Sequence, residues 1–444
     1  MKINRFSSAI KATCLAVAVL VTGCGGGGGS APPPPGILSG TVTAGNPATP
    51  LAGVSVIAFN ASTNAPAATT VQTSATGTYS FTLNAGSYYL KFYKQGYNPI
   101  PSALLTPVAL TVNSGATTTD DVLMTASALT NTGWITGTVT SGTTGIGGVL
   151  VAAEASGVAY TSFTDSTGNY AIYNVPAAGY TMKAYVQGYS STAPAATVTA
   201  NAAVTADLAL TANAAGTVAV GFNLIAATGV TTPANMVTSL VHPITKETIP
   251  GLSVSKPYAN SISYAFSGVA DGTYIVRTTY ANDTIVVDPD AIVKFGEPAV
   301  TVASGVPTPT TVAIKATSAV GLVSPTNALS TTVPTLVAST TPTFTWNSYP
   351  STSDYVIEVM DASTGVVIWG GFTGMGTASV AKNIVIPSSQ TSITYNSDGT
   401  ASAPLVSGKT YRWRIYASKN DNQSATGWSL ISMSEDQMGL IAIQ

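Results

Sequence analysis

The sequence predicts an all-β protein made of tandem β-sandwich domains with Greek-key-like connections. Three observations lead there. Short runs alternate apolar and polar residues between turn signals. The chain is dense in Thr, Val, Tyr and Gly and lacks sustained apolar spacing at three and four residues, which favours strands over helices. A pattern of motifs also returns after about 90 residues, so one module is repeated.

Composition bounds the function. The 444 residues suffice for roughly three domains of about 150 residues, and 45% hydrophobic content allows them to bury cores. Charged residues make up only 8%, against roughly 25% in an average soluble domain. A formal charge of −2 without basic clusters offers nothing to the phosphates that nucleic-acid binding requires, so no nucleic acid is expected as a partner. One His and two Cys exclude His-rich zinc sites, attached haems and a disulfide framework; neither a cofactor nor a metal is expected.

Taken in order, residues 1–23 read as a signal peptide: Lys2, Arg5 and Lys11 precede the short apolar run Ala12 to Val21, too short to span a membrane. Its end, Val21-Thr22-Gly23-Cys24, resembles the bacterial lipobox. That resemblance implies that Cys24 carries the lipid and becomes the mature N-terminus; an ordinary secretory signal with an incidental Cys is the alternative. Residues 24–36 then form a Gly- and Pro-rich tether. Two or more acyl chains anchor stably where one does not, so the membrane is an expected partner through Cys24. Gly25 is not the Asp that resembles an inner-membrane retention signal, which favours the outer membrane, facing the cell surface or else the periplasm. Loss of residues 1–23 removes three cations and no acids, leaving 13 Lys and Arg against 18 Asp and Glu.

The repeat follows. Ser39-Gly40-Thr41-Val42-Thr43 returns as Thr136-Gly137-Thr138-Val139-Thr140, and Leu51-Ala52-Gly53-Val54-Ser55-Val56 as Ile146-Gly147-Gly148-Val149-Leu150-Val151. Gly77-Thr78-Tyr79-Ser80-Phe81 returns as Gly168-Asn169-Tyr170-Ala171-Ile172, and Gln95-Gly96-Tyr97 as Gln187-Gly188-Tyr189. Alternation places Val54, Val56 and Ala58 on one strand face, and turns Tyr79, Phe81 and Leu83 inward while Ser80 and Thr82 face water. This order of motifs resembles the carboxypeptidase regulatory-like module, a transthyretin-like (prealbumin) sandwich, over residues 37–127 and 133–213. The resemblance implies the fold and no catalytic residues, since that module is an appendage of metallocarboxypeptidases and a tandem unit of bacterial surface proteins. The second copy departs from it at Gly145-Ile146-Gly147-Gly148, where the usual Pro is missing.

Residues 215–320 read as a diverged third copy. Gly216-Thr217-Val218 opens it, Gly272-Thr273-Tyr274-Ile275-Val276 matches Gly86-Ser87-Tyr88-Tyr89-Leu90, and Thr311-Val312-Ala313-Ile314 closes it; it lacks the Gly-Tyr end and carries extra sequence from Val237 to Ser255. Residues 321–444 differ. Pro342-Thr343-Phe344-Thr345-Trp346, Asp354-Tyr355-Val356-Ile357-Glu358-Val359 and Lys409-Thr410-Tyr411-Arg412-Trp413-Arg414-Ile415 resemble strands of a fibronectin type III-like sandwich, in which Trp346 and Tyr411 are implied core residues.

Catalytic chemistry has little to draw on. A metallocarboxypeptidase needs two His and a Glu around zinc, and His242, the one His, precedes Pro243 in a polar stretch that reads as a solvated loop. Asp120-Asp121 and Asp288-Pro289-Asp290 lack calcium-loop spacing and read as loop or strand-edge charges. No catalytic residue is assigned. The suggestive pattern is a stripe. With Tyr88, Leu90 and Phe92 inward, like Tyr180, Met182 and Ala184, the residues Tyr89, Lys91 and Tyr93, and Lys183 and Tyr185, face out; Arg277 takes the same slot in the third copy. Exposed tyrosines beside cations stack on sugars, so the stripe is a candidate polysaccharide contact. The competing reading is a solubilising strand face. The sequence as a whole reads as a non-enzymatic, membrane-anchored surface lipoprotein, structural or adhesive, its sandwiches forming a semi-rigid rod; a carbohydrate-binding module, or an accessory subunit of a secretion or filament assembly that contacts other surface proteins, is the alternative.

Overall fold

The computed structural model describes residues 33–444 apart from 46, 102–106, 108, 128, 213–215, 225–234, 258–260, 281–284, 296, 328–333, 363–364, 378, 408 and 435–437. The signal peptide, Cys24 and the tether up to residue 32 lie outside the described residues. A little over half of the described chain is strand and almost none is helix, and no helix in it is long and apolar enough to cross a membrane.

In the first sandwich the strand Gly36–Ala44 pairs antiparallel with Thr78–Leu83 and parallel with Thr117–Thr119 and Val122–Met124. The opposing sheet runs Val71–Gln72, Ser55–Asn60, Gly86–Tyr93, Leu110–Val112. The strict alternation of Thr78–Leu83 buries Tyr79, Phe81 and Leu83 and exposes the residues between, as period-2 sterics require. Leu38, Val42, Val54, Val56, Tyr88, Leu90 and Phe92 complete this core.

The second sandwich repeats the plan. Thr132–Ser141 pairs antiparallel with Asn169–Pro176 and parallel with Ala203–Thr205 and Leu208–Ala212. Val158–Phe163, Leu150–Ala155, Gly179–Tyr185 and Ala195–Thr197 oppose it. In the third, Val218–Leu224 lies between Ser261–Phe266 and the parallel Thr311–Ser318, over a sheet of Thr248–Pro257, Asn235–Val241, Gly272–Tyr280, Ala299–Ala303 and Val306–Thr308. One bond recurs three times. The Tyr88, Tyr180 and Tyr274 hydroxyls donate to the carbonyls of Asn84, Pro176 and Ala270, each four residues earlier, at 2.8–3.0 Å.

Strand register fixes where Gly216 stands in the third copy. Gly40 pairs with Tyr79 and Gly137 with Tyr170, whereas Val220 pairs with Tyr264. Gly216, four residues before Val220, therefore stands where Gly36 and Gly133 stand. Glycine is needed at Gly40 and Gly137 because the returning chain passes so close that a Cβ would lie 1.9 Å from the Asp120 carbonyl oxygen or 2.2 Å from that of Ala206. The Tyr79 and Tyr170 hydroxyls donate to those same carbonyls. In the third sandwich the parallel partner runs without a break beside Val220, and a side chain fits.

The last sandwich sets Leu322–Ser324, Thr343–Trp346 and Ser392–Thr394 against a sheet ordered Thr335–Val337, Leu440–Ile443, Thr410–Asn420, Asp354–Asp361, Val367–Gly370. Phe344, Trp346, Tyr355, Trp369, Tyr411 and Trp413 are buried in its core.

Candidate functional site

The faces expected to meet solvent are the ones on which the sandwiches meet. The strand Ser55–Asn60 is buried on both sides. Val54, Val56 and Ala58 enter the first core, while Ile57 and Phe59 join Tyr93, Leu150, Phe163 and the third sandwich's Leu240, Leu252, Tyr264 and Tyr274 in one apolar cluster. Tyr89, Tyr173 and Tyr185 pack on its margin. A string of modules touching only end to end would leave these apolar faces wet, so the expected rod gives way to a shared core among the first three sandwiches.

Glu247, inside the extra sequence of the third sandwich, sits where all three converge. Its Oε1 accepts from Lys91 Nζ at 3.0 Å, and its Oε2 accepts from the Thr161 hydroxyl of the second sandwich. Lys91 Nζ also lies 4.3 Å from the centroid of the Phe163 ring, and Phe59 stacks on Tyr89 at 5.1 Å. A buried ammonium is tolerated because carboxylate and ring replace its water.

A second junction gathers around Glu154. Its carboxylate accepts from Lys183 Nζ at 2.8 Å, from the Tyr185 hydroxyl and from His242 Nε2 at 3.2 Å. Backbone N–H groups of Ile244 and Thr245 donate to His242 Nδ1 at 3.3 and 3.1 Å, which places the imidazole proton on Nε2, pointing at Glu154. Burial alone would raise the Glu154 pKa, but hydrogen bonds from His242, Lys183 and Tyr185 and the Lys183 charge outweigh it and hold the carboxyl at about 2. Burial and the bond to Glu154 push the Tyr185 phenol well above its ordinary range. Arg277 grips Glu297 with two parallel bonds of 2.6 and 2.7 Å.

The candidate contact residues are therefore corrected as a solvent-facing stripe. Lys91 and Tyr93 are buried, Tyr89 and Tyr185 are half-buried in the shared core, and Arg277 is held by Glu297; Lys183 alone keeps substantial exposure, with 43% of its side chain accessible. His242 is likewise fully buried rather than solvated, its ring edge-on to Tyr185 at 5.2 Å. Arg412, next to Trp413, is 1% exposed. Asp120 is half-buried, and burial with the neighbouring Asp121 charge raises its pKa to about 6 against the Tyr79 hydrogen bond.

Sequence reasoning missed Glu154 and Glu247. The first was within reach: Glu154 pairs with Thr181 across adjacent antiparallel strands, so Lys183 is its diagonal neighbour on the same face. Glu247 had no such local signal, since Lys91 lies 156 residues away. The missing Pro of the second copy also has a cause. Gly145 stands where Pro50 stands in the first copy, and a Cβ on it would lie 1.9 Å from the Thr167 carbonyl oxygen.

The third sandwich meets the last one in a similar way. Val286 and Val293 pack with Val356, Tyr416, Leu430 and Met433. Lys294 Nζ lies 4.2 Å from the centroid of the Trp428 ring and donates to Ser424 Oγ at 3.1 Å. Between the second and third sandwiches a cleft of about 450 Å³ opens, lined among others by Lys183, Tyr185, Tyr189, Leu252 and Asp271. The Asp271 carboxylate there accepts from the Ser304 and Gly305 amides at 2.8 and 2.9 Å. Among the described residues, no group of three or more His, Cys, Asp or Glu is arranged to hold a metal ion.

No curated protein matches the chain. Among solved structures, similar ones include the Bacillus anthracis TIE protein (14% identity, 64% of this chain and 50% of that one, TM-score 0.18), the shaft pilin SpaA from Lactobacillus rhamnosus GG (13%, 40% and 98%, 0.18) and BcpA, the major pilin subunit of Bacillus cereus (11%, 64% and 99%, 0.17). This chain covers half the length of the first. At such scores no common arrangement of whole chains is implied, and nothing about role follows. The carboxypeptidase regulatory-like domain model matches residues 37–125 and 134–211. The chain thus carries carboxypeptidase regulatory-like domains in tandem.

Proposed function

We propose that this protein is a non-enzymatic lipoprotein, anchored through Cys24 and the tether of residues 24–36, with a structural or adhesive role at the cell surface. In this reading residues 215–320 are a diverged third copy of the repeat and residues 321–444 a fibronectin type III-like sandwich. One observation carries the structural role. The ionisable groups that could have formed a reactive cleft are committed to partners across or beside sandwich interfaces: Lys91 to Glu247, His242 and Lys183 to Glu154, and Arg277 to Glu297. Side chains so committed stiffen joints; none is left poised to exchange a proton with a bound molecule.

The test combines anchor and role. Cells expressing the parent chain should incorporate labelled palmitate into it and retain it in the outer-membrane fraction. Cys24→Ala should abolish both and reduce surface attachment or aggregation of the cells. Full labelling of Cys24→Ala, or attachment indifferent to deletion of the protein, would overturn the reading. A second reading, polysaccharide recognition, rests on the cleft rather than the stripe, because Tyr189 and Lys183 line it and keep accessible surface. Retention of the full chain on a polysaccharide column, lost on Tyr189→Ala, would favour it.

A further inference from the structure

The tyrosine of each Gln-Gly-Tyr segment packs against the core of its own sandwich, while the Gln and Gly before it touch the following sandwich. Gly96 and Gly188 both turn with φ +82°. At the first joint the Gly96 amide donates to Asn174 Oδ1 at 2.6 Å, the Asn174 amide donates to Gln95 Oε1 at 2.8 Å, and Asn174 Nδ2 donates to the Tyr97 carbonyl at 2.6 Å. Gln95 Nε2 reaches Thr132 Oγ1 at 2.7 Å. At the second joint the Gly188 amide donates to the Gly268 carbonyl at 2.8 Å and Gln187 Nε2 to the Ser267 carbonyl at 3.0 Å.

The two acceptors occupy the same place. Asn174 lies four residues after Tyr170 and six before Tyr180; Gly268 lies four after Tyr264 and six before Tyr274. Both have left-handed backbones, φ +57° and +68°, a conformation open to Asn and Gly. In the second sandwich the register slips here: Gly133 pairs with Val175 but Ile135 with Ile172, so two residues, Tyr173 and Asn174, bulge opposite one. The first sandwich has no such bulge. Its pairing runs unbroken from Thr41 with Thr78 to Gly36 with Leu83, and Tyr79 and Tyr88 are nine residues apart instead of ten.

We propose that the Gln-Gly-Tyr turn is a coupling element, and that its partner is the left-handed residue that stands six before the second matched tyrosine of the next sandwich. The joint is directional. Each turn projects forward along the chain, the second and third sandwiches carry the receptor, and the first, one residue shorter between its tyrosines, carries a turn without a receptor and so begins the array. Stacked repeats owe their geometry to such nearest-neighbour interfaces, with atypical terminal units.

Hydrogen exchange on the full-length chain tests this in both directions. Asn174→Ala removes the acceptor of the Gly96 amide, whose exchange should accelerate about tenfold or more while the Gly188 amide keeps its rate. Gly268→Ala places a Cβ 3.0 Å from the Gly188 nitrogen and Cα and should release the second turn while sparing the first. If Gly268→Ala does not fold, Gln187→Ala carries the same reading at that joint. A turn whose exchange is unmoved by loss of its receptor, or both turns and the sandwich cores accelerating together, would overturn the proposal.

Discussion

Replacing Lys91 by Met should destabilise the first three sandwiches as a unit by about 3–5 kcal/mol, the range for stranding one partner of a buried ion pair. The structure supplies the terms. The side chains of Lys91 and Glu247 are only 9% and 7% accessible and their charges sit 3.0 Å apart. At an effective dielectric of about 20 this separation corresponds to roughly 5 kcal/mol of attraction before desolvation is subtracted. Without Lys91, Glu247 keeps only the Thr161 hydroxyl, and the cation over Phe163, worth about 2 kcal/mol when desolvated, is lost as well. Glu247→Leu should cost a similar amount by stranding the ammonium. The double variant, which refills the site with apolar volume, should fall within about 2 kcal/mol of the parent. Urea unfolding followed by circular dichroism reads all three. In the single variants the transition should also broaden or split, because the shared core loses its polar centre. Single costs below about 1 kcal/mol, or a double variant whose cost is the sum of the two, would refute the claim that this pair joins the sandwiches.

Acid should probe the other junction. Because the Glu154 carboxyl is held at about 2 in the folded chain against 4.5 as the reference, its contribution is complete above about pH 5 and is lost as pH falls toward 2. Glu154→Gln should flatten that limb of a stability-against-pH curve. Gly137→Ala, which would drive a Cβ to 2.2 Å from the Ala206 carbonyl oxygen, should lower stability by about 1–3 kcal/mol in urea unfolding, whereas Val220→Ala at the equivalent pairing position meets no such clash and costs only the volume it empties. Trp413→Ala empties the centre of the last core, where Trp413 contacts Phe344 at a centroid distance of 4.8 Å. About 3–5 kcal/mol should be lost, read as a fall in the last sandwich's midpoint by differential scanning calorimetry.

Local chemistry made the modules legible. Period-2 alternation in Thr78–Leu83 names the inward residues because successive strand side chains must point to opposite faces, and Tyr88, Tyr180 and Tyr274 could be matched from sequence because each serves the same bond within its own sandwich. Even the missing bulge of the first sandwich is written in the chain, as nine residues between tyrosines where the others have ten. Alternation, however, says only that a face points away from its own core. Whether Tyr89, Lys91, Tyr93 and Tyr185 then meet water or protein depends on partners 156 residues away for Lys91 and 86 for Thr161, and contacts at that separation leave no local periodicity. The same holds for His242, which looked solvated beside Pro243 and is enclosed by Glu154, 88 residues away. Sequence alone determined the strands, the modules and the scarcity of reactive groups. Only tertiary packing decided that the few cations and tyrosines on the outer faces bind neighbouring sandwiches, because burying an apolar face is favourable wherever a complementary one is tethered within reach.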